Sequence, residues 1–303
     1  MNQKRPSALV DISDAIATVV ADSRAFTVTV FGRRRLPGTG IVWSSDLIVT
    51  ANHIVERDEG IEVSSESGNR VAASVVGRDP GGDIAVLRVA DGALNPASRA
   101  SGEVRAGEIA LGIGRAGSGQ PHVSIGVVNT AEAALRVSRG RIIEPVIQSE
   151  IVMLPGFSGG PLLNANGEVL GMNSSHLGRG ASLAISSAAL APIVETLTTH
   201  GRLRRGYLGI GTQAVGLSAS QVSESGLGAE SGLVILSIDQ GGPAQAAGLF
   251  IGDILVAVNG APVRSVDDLV DQLPGEVIGS SIPVVVVRGS QQQEISITVG
   301  ERD

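Results

Sequence analysis

From Phe26 to Asn173 the sequence is a succession of short runs rich in Val, Ile, Leu and Thr, separated by segments that contain turn residues. The runs fall at 26–31, 39–43, 47–50, 61–63, 71–76, 84–89, 108–113, 122–129, 146–149, 161–163 and 168–173. Many short strands at close spacing predict an all-β barrel or sandwich. Asn166-Gly167, between the last two, is a strong hairpin signal because both residues tolerate the left-handed turn conformation. Aromatic residues are only 2% of the chain, so the 43% that is apolar must build its core from Val, Ile, Leu and Ala.

Both flanks of this region have helical spacing. Ile12, Ile16, Val19 and Val20 lie on one face of a helix over 11–22, and Leu190, Ile193, Val194 and Leu197 on one face of a helix over 188–200. Gly201 to Gly206 then reads as a linker. Strand-like runs resume at 207–210, 233–238, 254–258, 283–287 and 294–298, interrupted by short helices at 243–247 and 265–273. Ser265 followed by Asp268 resembles a capping box, and Val266, Leu269, Val270 and Leu273 form that helix's apolar face. The predicted organisation is an N-terminal helical segment (1–24), a β-rich domain (25–200), a linker (201–205) and a smaller α+β domain (206–303).

Charge divides unevenly. Residues 1–205 carry 20 basic and 19 acidic side chains, a net of +1, whereas residues 206–303 carry 3 and 11, a net of −8. This balance argues against a nucleic-acid partner, and Arg33-Arg34-Arg35 reads as a solvated hairpin loop. With no cysteine, disulfides and thiolate metal ligation are excluded. Four scattered histidines without a His-Glu-x-x-His pattern predict no metal site, and no cofactor is called for. No signal peptide or transmembrane run is visible, so the chain as written is expected in the cytoplasm, or outside it if a targeting segment has been removed.

The chemistry is concentrated at three points. Ser158 lies in Gly156-Phe157-Ser158-Gly159-Gly160-Pro161, His53 in Val49-Thr50-Ala51-Asn52-His53-Ile54-Val55, and Asp83 in Gly81-Gly82-Asp83-Ile84-Ala85-Val86-Leu87. A serine hydroxyl is a weak nucleophile unless a base lies within hydrogen-bond reach and a third group orients that base. His53 is placed as that base and Asp83 as its orienting carboxylate. The backbone N–H groups of Gly156 and Ser158 are the candidate donors to the oxyanion, since a glycine turn can aim both at one point. The His…Asp…Ser order is that of chymotrypsin-like double-barrel enzymes.

Two rival motifs fail on context. Gly156-x-Ser158-x-Gly160 also matches a nucleophile elbow, but that elbow needs a helix after the serine, then an acid and a histidine downstream. Here Pro161 and a hairpin follow, and no histidine occurs beyond His200. Gly112-Ile113-Gly114-Arg115-Ala116-Gly117 fits a dinucleotide fingerprint, but a β-rich run follows instead of a helix.

On these residues the chain resembles the HtrA/Deg serine proteases, a chymotrypsin-like protease domain followed by a PDZ domain. Four stretches carry the likeness: Gly38–Val42 with Ile48–His53, Asp79–Leu87, Pro155–Leu162 and Asn166–Gly171. The resemblance implies a mainly β fold, ATP-independent endoproteolysis of misfolded or exposed polypeptides, homo-oligomers that are commonly trimers, and recognition of peptide C-termini by the PDZ domain. It departs from the family where Phe157 replaces a usual Asn before the serine, where Leu154 replaces another, and where Ser182–Ser186 replaces Gly-Phe-Ala-Ile-Pro. The alternative is a latent protease fold acting as a peptide-binding, chaperone-like protein.

In that fold Val152 lies near the base of the specificity pocket and Leu183 on its border. With no acid there, a small or medium apolar residue is expected before the cut. Tyr207-Leu208-Gly209-Ile210 resembles the PDZ carboxylate-binding loop, with Val266, Leu269 and Val270 on the helix forming the other wall of the groove.

Overall fold

The strand-like runs become strands whose ends pair round on themselves. The structure is a computed structural model, which describes residues 7–66, 68–90, 94–115, 121–137, 142–178, 181–217, 230–289 and 291–301. The chain divides into two compact units, one up to residue 203 and one from residue 204 onward.

The first unit contains two closed six-stranded barrels. One comprises β1 (Thr27–Phe31), β2 (Gly38–Val42), β3 (Leu47–Ala51), β4 (Ile61–Ser64), β5 (Arg70–Asp79) and β6 (Ile84–Val89), ordered β1-β2-β3-β6-β5-β4. The other comprises β7 (Ile109–Gly114), β8 (His122–Arg136), β9 (Ile142–Ser149), β10 (Pro161–Leu163), β11 (Val169–Ser174) and β12 (Ser182–Ser186), ordered β10-β11-β12-β9-β8-β7. Closure leaves no unpaired sheet edge, which is how short antiparallel strands avoid pairing with other chains. Val28, Val30, Ile48, Ile61, Val63 and Leu87 fill the first barrel, and Ala110, Ile147, Leu162 and Ala184 the second. Ile41, Val49, Ile84, Leu111, Ile113, Met172 and Ile185 join in a third cluster with Leu190, Val194 and Leu197 of helix α2 (Ser187–His200). Ser186 caps α2 by accepting the Ala189 N–H at 3.1 Å. Helix α1 (Ala8–Asp22) precedes the first barrel.

In the first unit three strands depart most from the sequence pattern. β8 continues to Arg136, beyond the predicted 129, through Ala131-Glu132-Ala133-Ala134. Ala and Glu are poor strand formers, and pairing with β9, with repeated register shifts, overrides their preference. β9 likewise begins at Ile142, ahead of the predicted 146. β12 was not visible as a strand: its apolar residues are few, and its place comes from pairing with both β11 and β9.

The second unit is an antiparallel sheet ordered β14-β15-β16-β18-β19: β14 (Ile210–Gly216), β15 (Ser231–Ile238), β16 (Ile254–Val258), β18 (Ser281–Arg288) and β19 (Gln291–Thr298). β17 (Ala261–Pro262) pairs with β16, and β13 (Gly206–Tyr207) pairs with β20 (Gly300–Glu301). Helices α3 (Pro243–Ala246) and α4 (Val266–Asp271) cover a core of Leu233, Ile235, Leu255, Val258, Val284, Val286 and Ile297. The capping box at α4 forms: Ser265 Oγ accepts the Asp268 N–H at 3.1 Å, and Asp268 accepts the Ser265 N–H at 2.9 Å. No helix among the described residues is long and apolar enough to cross a membrane.

Candidate active site

Strand register brings His53 and Asp83 together. β3 pairs with β6 so that Ala51 faces Ile84. His53, two residues beyond the end of β3, therefore meets Asp83, one residue before β6. The His53 Nδ1 lies 2.8 Å from one Asp83 carboxylate oxygen and 3.0 Å from the other. The same carboxylate accepts the His53 backbone N–H at 2.9 Å, and the Asp83 carbonyl accepts the Asn52 N–H at 3.0 Å. Asp83 is held at φ 56°, a left-handed conformation that costs a non-glycine residue about 1 kcal/mol. The bonds on both its carboxylate and its carbonyl hold it there.

Burial by itself would raise the pKa of the Asp83 carboxyl. The hydrogen bonds from His53 and Ser174, with the His53 charge, outweigh burial and leave it below the usual carboxylate value. Asp83 is thus an anion buried against the imidazole, the arrangement that fixes a tautomer with the proton on Nδ1 and leaves Nε2 as base. Arg78 supports the turn from behind, donating to the Asn52 side chain at 3.1 Å and to the Val55 carbonyl at 2.6 Å.

Ser158 sits just before β10 and is stitched to the other barrel by Thr39 of β2. The Thr39 hydroxyl donates to the Gly156 carbonyl at 2.6 Å, and the Thr39 N–H donates to the Ser158 carbonyl at 3.1 Å. Gly156 has φ 90° and Gly159 φ 82°. A Cβ on Gly159 would lie 2.1 Å from the Thr39 carbonyl oxygen and 2.4 Å from the Thr50 hydroxyl, so that position accepts only glycine. The N–H groups of Gly156 and Ser158 have no acceptor among the described residues, as oxyanion donors require before substrate arrives.

Three consecutive residues that the sequence reading did not single out touch the three candidates in turn. Ser174 Oγ donates to Asp83. The Ser175 hydroxyl lies 2.9 Å from Ser158 Oγ, and the Ser175 N–H donates to it at 3.2 Å. The His176 ring stacks on His53, centroids 3.8 Å apart. The signal for them was the polar run Asn173-Ser174-Ser175-His176 closing an otherwise apolar strand. Among the described residues no hydrogen bond joins Ser158 to His53; the serine hydroxyl rests on Ser175 instead. Such links commonly tighten only when substrate is bound. Ligand-capable atoms of His53, Asp83 and His176 lie within 4.8 Å of one another. Of these groups, Asp83 is already engaged by His53 and Ser174, and the His53 ring by Asp83 and the face of His176.

The expected specificity residues are arranged differently from the sequence reading. Val152 is 63% exposed, so its side chain does not form the floor of a closed pocket. Its N–H donates to Ser124 Oγ at 2.7 Å. Leu183 is half-buried on β12 and packs on the core shared by the barrels.

In the second unit, β14 is an edge strand that among the described residues is bonded only to β15, and α4 packs beside it. Ile210 begins that strand and Gly209 turns into it with φ 76°. The Tyr207 hydroxyl donates to Asp239. Val266 is exposed and Val270 half-buried, both available to a groove. Leu208 and Leu269 are not: both are buried in the core of this unit, because the loop and the helix each turn one apolar side chain inward.

Comparison with known proteins matches these two regions. Residues 38–172 match the trypsin-like peptidase domain family and residues 206–299 the PDZ domain family. The serine endoprotease from Yersinia pestis has the same fold with a TM-score of 0.74 and 28% identity, covering 99% of this chain and 100% of that one. The chain combines a trypsin-like peptidase domain with a PDZ domain, and in this it is similar to the HtrA/Deg-type proteases. The HtrA-type protease AlgW, solved with a decapeptide, is 25% identical at a TM-score of 0.74, covering 95% of this chain and 98% of that one. Among curated relatives, a probable periplasmic serine endoprotease DegP-like of Ectopseudomonas mendocina (strain ymp) is 32% identical over 277 residues, 87% of this chain and 56% of the relative. A protein of the same description from Chlamydia trachomatis serovar D is 31% identical over 88% of this chain and 54% of its own length. The chain therefore spans about half the length of these curated relatives.

Proposed function

We propose that this chain is a serine endopeptidase that cleaves exposed or misfolded polypeptides through an acyl-enzyme, without ATP. The observation that carries the reading is the contact of Ser174, Ser175 and His176 with Asp83, Ser158 and His53 respectively, which gathers the three candidates at one place. Once the Ser158 hydroxyl turns from Ser175 to His53, its oxygen attacks the peptide carbonyl carbon as its proton passes to Nε2. The developing oxyanion is received by the N–H groups of Gly156 and Ser158. The C–N bond then breaks, and the imidazolium returns the proton to the departing amine. Water, deprotonated by the same imidazole, releases the acyl group and restores the serine.

In this reading Asp83 stabilises the imidazolium in both steps and never takes up the proton itself. The free edge of β14 receives a peptide C-terminus as an added strand, with its carboxylate on the loop 207–210. Homo-oligomerisation, as trimers, follows the family resemblance. The description of curated relatives as periplasmic supports an extracytoplasmic site of action.

The test is labelling with a fluorophosphonate, followed by casein hydrolysis. Wild type should label and cleave, whereas Ser158→Ala should do neither. Cleavage that survives Ser158→Ala would overturn the assignment.

A further inference from the structure

Phe157 stands between the two candidate oxyanion donors, and its ring is wholly buried, at 0% exposure. Its backbone is tied on both sides: its N–H donates to the Leu154 carbonyl at 3.1 Å, and its carbonyl accepts the Gly160 N–H at 2.9 Å. The ring itself lies against β7. A Cβ on Gly114 would sit 2.2 Å from the ring's Cδ1 and 2.7 Å from a Cε1 position, and a Cβ on Gly112 would sit 3.5 Å from its Cε2. Residues two apart on a strand point to the same face. Gly112 and Gly114 thus form one flat recess, and Ile151 closes it, with its Cδ1 2.6 Å from the position of a Gly112 Cβ. The pair of glycines that mimics half of a dinucleotide fingerprint is accounted for in this way.

The recess is coupled to the serine turn. Gly112 pairs with Leu162 of β10, four residues beyond Ser158, so the seat and the turn belong to one hydrogen-bonded sheet. Hydrogen bonds in a turn can be exchanged for water, and a peptide can flip with little loss. The seated ring fixes the Phe157 Cα–Cβ direction, and with the Phe157 carbonyl bonded to the Gly160 N–H the peptide that follows has little room to turn.

We propose that Phe157, seated on Gly112 and Gly114, is the positioning residue that holds the Ser158 N–H in its oxyanion-binding orientation. This rests on the reading of Ser158 as nucleophile and adds a part to it. The ring touches no substrate atom. It acts by fixing the 157–158 peptide, which carries the Ser158 N–H and whose carbonyl is bonded to the Gly160 N–H.

The test uses Gly114→Ala, which crowds the seat, Phe157→Leu, which shrinks its occupant, and the double variant, all in the full chain. Hydrolysis of a peptide substrate and binding of a peptide boronate are measured, the boronate forming a tetrahedral adduct on the serine. Gly114→Ala should lower kcat about 100-fold, the size of losing one oxyanion donor, with KM changed by no more than about two-fold, because the interaction is made only in the transition state. Boronate affinity should fall in step with kcat. Adding Phe157→Leu should restore at least about five-fold of kcat, since the smaller side chain relieves the clash.

A folded Gly114→Ala with wild-type kcat, a loss confined to KM, or a double variant no faster than Gly114→Ala would each overturn the proposal. Should Gly114→Ala fail to fold, Phe157→Leu alone decides: a fall in kcat matched by boronate affinity supports the proposal, and unchanged kcat overturns it. Fluorophosphonate labelling of wild type separates the two levels. A wild type that labels while these variants behave like it defeats only the positioning role, whereas a wild type that does not label defeats the nucleophile as well.

Discussion

At the residue scale, the balance between a parked and a poised serine depends on one hydroxyl. Ser175 Oγ, 2.9 Å from Ser158 Oγ, competes with His53 for it. A neutral hydrogen bond is worth about 1 kcal/mol net. Ser175→Ala should therefore speed fluorophosphonate labelling by about five-fold, measured as the second-order rate against wild type; a slower rate would show that Ser175 aids catalysis. Ser174 acts in the opposite sense. Its hydroxyl helps keep Asp83 ionised despite burial, so Ser174→Ala should lower kcat by about ten-fold with little change in KM.

At the element scale, the first barrel and the end of β7 are held to each other by a buried cation. Arg115 is 1% exposed, and its guanidinium donates to the Thr27 carbonyl at 2.8 Å and to the Arg24 and Ser65 carbonyls at 3.4 Å. Burial pushes its pKa down from the ordinary arginine value, chiefly through lost hydration. Its own N–H, meanwhile, donates to the Thr39 hydroxyl that grips the serine turn, at 2.6 Å. Removing the guanidinium takes a buried charged donor from the Thr27 carbonyl at the least, a loss of about 1–3 kcal/mol. Arg115→Leu should destabilise the fold by about 3 kcal/mol in denaturant unfolding, and an unchanged midpoint would mean that water replaces the lost bonds.

At the scale of the whole molecule, both units contain a buried carboxylate whose pKa is lowered. In the first it is Asp83. In the second it is Asp253, where burial raises the pKa but the two-pronged hydrogen bond from Arg288, at 2.8 Å on each oxygen, and the Phe250 N–H outweigh it. A folded pKa below the unfolded value gives stability that is complete above about pH 4 and is lost as the pH falls through the folded value. Calorimetry should find a melting temperature nearly flat from about pH 7 to 5 and falling below about pH 4. Asp253→Asn should remove part of that acid-side fall. Charge acts at this scale too. The net of −8 over residues 206–303 should favour basic over acidic peptides of equal C-terminal residue at low salt. The preference should fade as salt is added, and equal affinities at low salt would argue against it.

Most strands, both long helices and the His53, Asp83, Ser158 order were legible because each depends on local pattern: β-branched runs, glycine turns, and a polar residue set beside a strand end. The family resemblance rests on the same residues. What the pattern could not reach were features made by residues far apart in the chain. β12 exists because two other strands flank it. The tail of β8 is a strand despite Ala and Glu. Ser174, Ser175 and His176 find the three candidates only after both barrels have closed. Phe157 reads in the sequence as a departure from the family and Gly112-x-Gly114 as part of a motif that fails on context, and packing places one on the other. Sequence by itself determined which residue types and which strand periods are available, since these follow from backbone sterics within a few residues. Only the tertiary structure decided which side chain occupies which recess, because that is a question of volume and hydrogen-bond partners across the barrels.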